Sequence, residues 1–409
     1  MSPRLLLFAA TTGYQIRIFA EAARRIGIDL TLATDRCHIM EDPWGDRAIA
    51  VKFDRIAESI DALRGLDFDG IAAVGDQPAV LAAEAARVLG IPFHSGAAAR
   101  AGQDKFIARA LFQNAGMRVP RFFLVPWGED SETAAGRASY PCVLKPVGMS
   151  GSRGVIRANH KVEFKAALAR IRRMGGHDIQ VEDYIEGREF AVEGLVTNGR
   201  FQPLAIFDKP DPLEGPYFEE TIYVTPSRSR AEVQQELLQT ADMAIRTLGL
   251  CHGPIHAELR YNQQGAWILE AHARPIGGLC ARALRFSGPG LPACPLEEVT
   301  LRHAIGEDVS GVRLEDAASG VMMIPIPKGG VYESVEGVEE ALTVPGIEDV
   351  VITAQEGQQL VPLPEGATYL GFIFARAKTP GEVEDALRRS HEKLRFRIAT
   401  ALATFKPSS

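Results

Sequence analysis

The stretch GPIHAELRYNQQGAWILEAHARPIGG (253–278) concentrates side chains that could do chemistry. On a β-strand alternate residues share a face, so His256, Glu258 and Arg260 point one way. Beyond a QQG turn, Glu270, His272 and Arg274 share a face in the same manner. A hairpin would therefore set Glu258 beside Glu270. Two adjacent carboxylates repel, and one takes up a proton unless a cation lies between them. Such oxygen ligands suit Mg²⁺, which favours one or two carboxylates plus substrate phosphates. The same residues also admit a cross-strand ion network with Arg260 and Arg274, and the hairpin by itself weighs the two readings equally. The continuation Arg274-Pro-Ile-Gly-Gly278 favours chemistry, because it releases a guanidinium from the strand and exposes backbone N–H groups at Gly277 and Gly278.

A second cluster lies in YPCVLKPVGMSGSRG (140–154). Lys145 ends an apolar run, so its stem packs against a core and its ammonium reaches the rim. Gly148, Gly151 and Gly154, with Ser150 and Ser152 between them, make an open loop whose N–H groups can approach phosphate oxygens. It is not a Walker A loop, since the lysine precedes the glycines and no GK[ST] ends it. A salt bridge is the plain alternative for Lys145. Lys105, in GQDK at a helix start, reads by itself as an ordinary exposed lysine.

These groups need elements to hold them. Over the first hundred residues short apolar runs (Leu5–Ala10, Leu30–Thr34, Gly70–Val74) alternate with helical patterns (Gln15–Ile26, Ile56–Leu63, Pro78–Leu89), the rhythm of a parallel sheet covered by helices. Gly13 and Gly75 are turn glycines outside any GxGxxG series, so a dinucleotide fingerprint is absent. The pattern then changes to a helix at Lys105–Ala115, a strand–glycine loop–strand, a helix at Lys161–Met174, and a long amphipathic helix at Arg230–Leu248. The hairpin strands are Ile255–Tyr261 and Ala266–Ala271. A last unit reads as strand Gly320–Pro325, helix Val335–Leu342, strands Asp349–Ala354 and Thr368–Ala375, and helix Thr379–Phe396. The expected fold class is thus α/β and α+β, with an N-terminal parallel α/β domain (1–100), a central domain (101–308) with a lid at about 120–185, and a small C-terminal α+β domain (309–409).

Composition narrows the function classes. With 46% hydrophobic and 24% charged residues, the chain is an ordinary globular one. A net charge of −7 argues against nucleic-acid binding through a general basic surface. No apolar run is long enough for a membrane span, and the opening MSPRLLLFAATTG reads as a buried strand, not a signal peptide. The five cysteines, Cys37, Cys142, Cys251, Cys280 and Cys294, form no CxxC pair. That fits a reducing cytoplasm better than a disulfide scaffold.

In this order the pieces resemble the ATP-grasp superfamily over nearly the whole chain. The match runs through the α/β N-terminal domain, DK at 104–105, the strand lysine with its glycine loop, VEDYIEGREF (181–190) and the E…ExHxR hairpin. The resemblance implies that ATP is held by Lys105 and Lys145 at its phosphates, with Gly151 and Ser152 in the loop. It implies Glu182, Tyr184 and Ile185 at adenine, Glu189 at the ribose, and Glu258 and Glu270 on Mg²⁺ (or Mn²⁺). One departure is His272, where many members carry asparagine two residues before the arginine. Within the superfamily GPIHAE, RPIGG and SGVMMIPIP…GIEDVVI…LPEGATYLGFIFA resemble the bacterial L-amino-acid ligases, the dipeptide synthetases.

Such ligases phosphorylate a carboxylate with ATP and let an amine displace the phosphate, releasing ADP. The implied partners are small carboxylates and amines, amino acids foremost, and a homodimer is among the states common in these families. Arg274 and the N–H of Gly277 would hold the substrate carboxylate or oxyanion, while His256 and the Glu219–Glu220 pair would line the amine side. Two rivals follow. A bicarbonate-using carboxylase of the biotin carboxylase kind shares the layout but has QVEH where this chain has RPIGG. A non-catalytic nucleotide-binding module would be expected to have lost one of the two lysines, two glutamates or the arginine.

Overall fold

The computed structural model describes residues 2–10, 15–35, 47–176 and 178–400. Gly13 and Cys37 lie outside them. The remaining four cysteines are free thiols. The chain divides into two compact units, each assembled from three separate segments. The first comprises Met1–Val119, Glu186–Asp208 and Thr225–Asp316; the second comprises Pro120–Ile185, Lys209–Val224 and Ala317–Ser409.

The first unit opens with the expected parallel sheet. Its strands run Ala48–Ala50, Asp29–Thr34, Arg4–Ala9, Gly70–Val74 across the sheet, every neighbouring pair parallel. Leu5, Leu6, Leu7 and Phe8 are all fully buried, as an inner parallel strand covered on both faces requires. The helix Asp76–Leu89 follows the last of these strands directly. Elsewhere in this unit the antiparallel strands Gly265–His272, Gly253–Asn262 and Arg188–Thr197 lie side by side. The helix Ala231–Leu248 covers them with Val233, Leu237, Ala241 and Ile245, the face that its sequence periodicity marks out.

In the second unit the strands Phe122–Val125, Ile179–Asp183, Cys142–Pro146 and Ile156–Ala158 form an antiparallel sheet. The helix Lys161–Arg172 packs on it through Phe164, Leu168 and Ile171. Toward the C-terminus, Ala318–Ile324, Gly371–Ala377 and Ile347–Ile352 make a further antiparallel set under the helix Pro380–His391.

Two readings of this last region are corrected. The helix expected over Val335–Leu342 is a strand, Gly330–Glu336, and then a five-residue helix, Val338–Leu342. Gly337 separates them at φ +85°, and a Cβ there would lie 2.0 Å from the Lys393 carbonyl oxygen, so the chain breaks its path at that point. The helix expected over Thr379–Phe396 stops at His391, and Arg395–Ala399 becomes a strand paired with Gly330–Glu336. The start was legible: Thr379 and Glu382 form a capping box with Pro380 in the first turn. The end was not, because the strand that captures Arg395–Ala399 lies some sixty residues back. No helix among the described residues is long and apolar enough to cross a membrane.

One core group stands out energetically. Glu297, in the helix Leu296–Ala304, is 1% exposed, and neither carboxylate oxygen has a hydrogen-bond partner among the described residues. Burial pushes its pKa up from the usual 4.5 to about 7, against weaker pulls from its own N–H, Arg282 and Arg25. The folded state therefore holds a proton that the unfolded chain releases between those values. This contribution is complete at low pH and is lost as pH rises through 7. Glu297→Gln should match the parent in unfolding free energy near pH 4 and exceed it at pH 8 by about 3 kcal/mol. A difference that does not change with pH would show that the carboxyl is solvated.

Candidate active site

In the first unit the hairpin register is His256↔His272, Ala257↔Ala271 and Glu258↔Glu270, so the two glutamates face each other across the strands. On the other side of the Gly253–Asn262 strand, His256 pairs with Glu193, Glu258 with Ala191, and Arg260 with Glu189. Three strands thus bring the ionisable side chains into rows, which is what period-2 alternation of a strand produces. A bulge between Glu258 and Leu259 shifts the register, so that Arg260 lies opposite Trp267. Arg260 Nε donates to Glu189 Oε2 at 2.9 Å, and both side chains are buried.

Cations surround the carboxylate pair. Lys105 Nζ lies 3.6 Å from Glu270 Oε1. Its placement follows from local chemistry. Asp104 caps the helix Lys105–Asn114 by accepting from the N–H groups of Phe106 and Ile107. One turn on, buried Arg109 donates to the carbonyls of Ile268 (2.6 Å) and Leu269 (3.0 Å), which fixes the helix start beside Glu270. Burial raises the Glu270 pKa, but Lys105 and then His272 more than offset it and hold the carboxyl at about 2. It stays ionised.

The two histidines stack across the strands with ring centroids 6.3 Å apart. His256 Nδ1 is paired with Glu193 Oε1, and Nε2 lies 3.3 Å from Glu258 Oε1. Burial opposes its charge, yet Glu193 and Glu258 raise its pKa to about 9. His272 Nε2 lies 3.0 Å from Glu270 Oε2, and Nδ1 lies 3.1 Å from Asp76 Oδ1. Burial pulls its pKa down, and Asp76 with Glu270 brings it above the usual value.

Asp76 and Glu193 are the residues that sequence reasoning missed. Asp76 opens its helix directly after the parallel strand Gly70–Val74, at the carboxyl end of a strand where open α/β sheets place their ligands. Arg274 Nε donates to Asp76 Oδ1 at 2.5 Å. Burial works against ionisation of Asp76, but Arg274 and His272 keep it well below the ordinary range. The chain after Arg274 is pinned at Ile276, whose N–H goes to Glu193 Oε2 (3.0 Å) and whose carbonyl accepts from Gln15 Nε2 (2.6 Å). At Gly277 a Cβ would meet nothing within 4 Å, so its backbone borders open space. The signals were present but faint: an aspartate just past a strand end, and Glu189 and Glu193 on one face of REFAVEGLV.

In the second unit Lys145 closes the strand Cys142–Pro146, buried, with Nζ 2.7 Å from Glu182 Oε2. Gln180 Nε2 donates to the other Glu182 oxygen at 2.5 Å. The salt bridge that the sequence offered as the alternative for Lys145 is therefore present, to the glutamate expected near adenine. Tyr184 N–H donates to the Pro141 carbonyl at 3.0 Å. The Arg157 guanidinium covers the Tyr184 ring at 4.1 Å, and Ile185 is buried. The glycine loop turns through Gly151 (φ +65°), Ser152 (φ +56°) and Gly154 (φ +72°). Glu220 pairs with Lys209, while burial raises the pKa of Glu219.

Asp76 is the carboxylate between Arg274 and His272. Replacing it with asparagine removes the carboxylate paired with Arg274 and leaves His272 with Glu270 alone. Asp76→Asn should lower unfolding free energy by on the order of 3 kcal/mol, read from the urea midpoint at constant slope. A loss near zero would mean that water, not Asp76, neutralises them.

Comparison with known proteins bears on this arrangement. Residues 138–283 match the ATP-grasp domain family, and residues 322–399 match the L-amino acid ligase C-terminal domain 2 family. A D-alanine–D-alanine ligase of Marinomonas is 26% identical over 42% of this chain and 55% of its own length, so the match spans about half of that relative. A protein of Sinorhizobium fredii, y4rH, is 20% identical over 97% of this chain and 83% of its own. Among solved structures, an L-amino acid ligase from Bacillus licheniformis superposes with a TM-score of 0.81 at 23% identity, over 98% of this chain and 99% of that one. A phosphoribosylglycinamide synthetase from Anaerococcus prevotii gives 0.70 at 16% identity, over 97% and 100%. The chain accordingly has the fold of these solved structures, with an ATP-grasp domain match over 138–283 and an L-amino acid ligase C-terminal domain match over 322–399.

Proposed function

We propose that this protein is an ATP- and Mg²⁺-dependent carboxylate–amine ligase that joins amino acids through an acyl phosphate, releasing ADP and phosphate. The observation that carries the reading is Glu258 facing Glu270, with the Lys105 ammonium 3.6 Å from the latter. The donor set fits a hard divalent ion: two carboxylate oxygens on a rigid antiparallel pair, one of them held ionised by its surroundings. Bound there, Mg²⁺ would offset phosphate charge and polarise the transferring phosphoryl group.

The chain's own residues supply the rest. Lys105 and Lys145, with the N–H groups around Gly151 and Ser152, offset the triphosphate charge that would otherwise repel an incoming carboxylate. Glu182, Tyr184 and Ile185 are the candidates to meet adenine, and Glu189 the ribose; Glu182 and Glu189 would rearrange their present ion pairs, to Lys145 and Arg260, to do so. Arg274 has Nε on Asp76 and Nη1 on the Pro275 carbonyl, which leaves Nη2 to meet the substrate carboxylate or the later oxyanion. The Gly277 N–H adds a second donor, a type worth on the order of 10²-fold in rate. His256, charged and seated between Glu193 and Glu258, orients Glu258. The L-amino acid ligase C-terminal domain match favours amino-acid substrates over bicarbonate.

Phosphate release should be measured with ATP, Mg²⁺ and all pairs of amino acids, with mass analysis of the positives for a dipeptide. Release that needs bicarbonate and ignores amino acids would replace this reading with a carboxylase. Tight ATP binding with no release from any pair would leave a nucleotide-binding module. Glu270→Gln should abolish phosphate release with an unchanged circular-dichroism spectrum; a fully active variant would sink the metal assignment.

A further inference from the structure

The glycine loop and the C-terminal domain belong to the same compact unit, and the loop does not stand alone. The segment Pro362–Ala367 lies against it. Gly154 N–H donates to the Pro364 carbonyl at 2.8 Å, and Arg153 Nε donates to the Glu365 carbonyl at 3.0 Å. A Cβ on Gly151 would touch Ala367 Cβ at 3.4 Å. The segment is itself stiff. It carries Pro362 and Pro364, and the Gly366 N–H closes a turn onto the Pro362 carbonyl at 2.9 Å.

One side chain anchors this segment to the loop's own sheet layer. Arg170, on the helix Lys161–Arg172, grips Glu365 with a bidentate fork, Nε to Oε1 at 2.5 Å and Nη2 to Oε2 at 2.9 Å. Its Nη1 donates to the Tyr217 hydroxyl, and the guanidinium lies over the Tyr217 ring. Bidentate pairing fixes direction as well as distance. Two glycines and a serine with left-handed backbone would otherwise sample many conformations, and ordering them around a phosphate would oppose binding.

We propose that Pro362–Ala367 is a strap that holds the glycine loop in its nucleotide-binding conformation, with Glu365 as the positioning residue that acts through Arg170. This rests on the reading above that the loop receives the phosphates of ATP. It gives the C-terminal domain a part in nucleotide handling, although none of its residues need touch the nucleotide. The Arg170–Glu365 pair is about one-third exposed on both sides, so it adds little to global stability. Its loss should therefore appear in the loop and not in the fold.

The test uses the full chain with Glu365→Gln, Glu365→Ala and Arg170→Met. Each should keep the parent's melting temperature. Hydrogen exchange over 148–155 should quicken, most at the Gly154 amide. The kcat/KM for ATP should fall on the order of 10- to 100-fold, while KM for the amino acids stays within about twofold. Glu365→Gln, which keeps one acceptor for Arg170, should lie between the parent and Glu365→Ala. MgADP titration of the parent separates nucleotide binding from the action of the strap. A parent that binds no MgADP overturns the nucleotide reading, and the strap with it. A parent that binds MgADP, alongside variants with unchanged loop exchange and unchanged kcat/KM for ATP, overturns the strap alone. A fall in melting temperature that parallels the loss of activity in all three variants would assign the pair a structural role instead.

Discussion

The constraint on which the first unit depends is the repulsion between Glu258 and Glu270, forced face to face by the hairpin register. Two strands cannot hold carboxylates in that position, largely shielded from water, without compensation. The protein supplies it in a shell of basic groups, Lys105, His256 and His272, and then an outer shell of anions, Glu193 and Asp76, that raises the pKa of both histidines. The alternation of sign runs outward to Arg274, held by Asp76. The parallel sheet, the capped helix and the hairpin thus converge on one electrostatic lattice, and each supplies a charge that the others need.

How far this was readable depended on the range of the signal. The strand at Gly70–Val74 and the helix at Ile56–Leu63 fall where local periodicity put them, because a buried parallel strand and an amphipathic helix each announce themselves within a few residues. Glu258 and Glu270 were legible as a pair because a short turn fixes their register. Asp76 was not, since its partners His272 and Arg274 lie almost two hundred residues away and no spacing rule spans that distance. Glu193 hid for a related reason: a glutamate in a strand is unremarkable until the strand beside it is known. The strand Arg395–Ala399 was misread as helix because its pairing partner, not its own sequence, decides its state.

The two lysines illustrate a different limit. Lys145 and Lys105 have similar burial but different company. Lys145 is matched to Glu182 on an adjacent strand, whereas Lys105 reaches Glu270 from a helix start that Arg109 pins in place. Sequence placed both correctly along the chain, but the means of holding each emerged only from contacts across elements. Lys105, which reads as an exposed lysine, is in fact buried, since the helix cap and the Arg109 clamp turn its first turn inward.

The second unit is threaded from three pieces of chain that are far apart in sequence. This has a consequence for recombination. A crossover near residue 316 would exchange the last hundred residues as though they were a free-standing module, yet it would separate Gly154 from Pro364 and Arg170 from Glu365. Chimeras between relatives that respect the folding unit must carry 120–185, 209–224 and 317–409 together. Synthesis on the ribosome meets the same requirement in time: the strand bearing Lys145 emerges more than two hundred residues before the segment that packs against its loop.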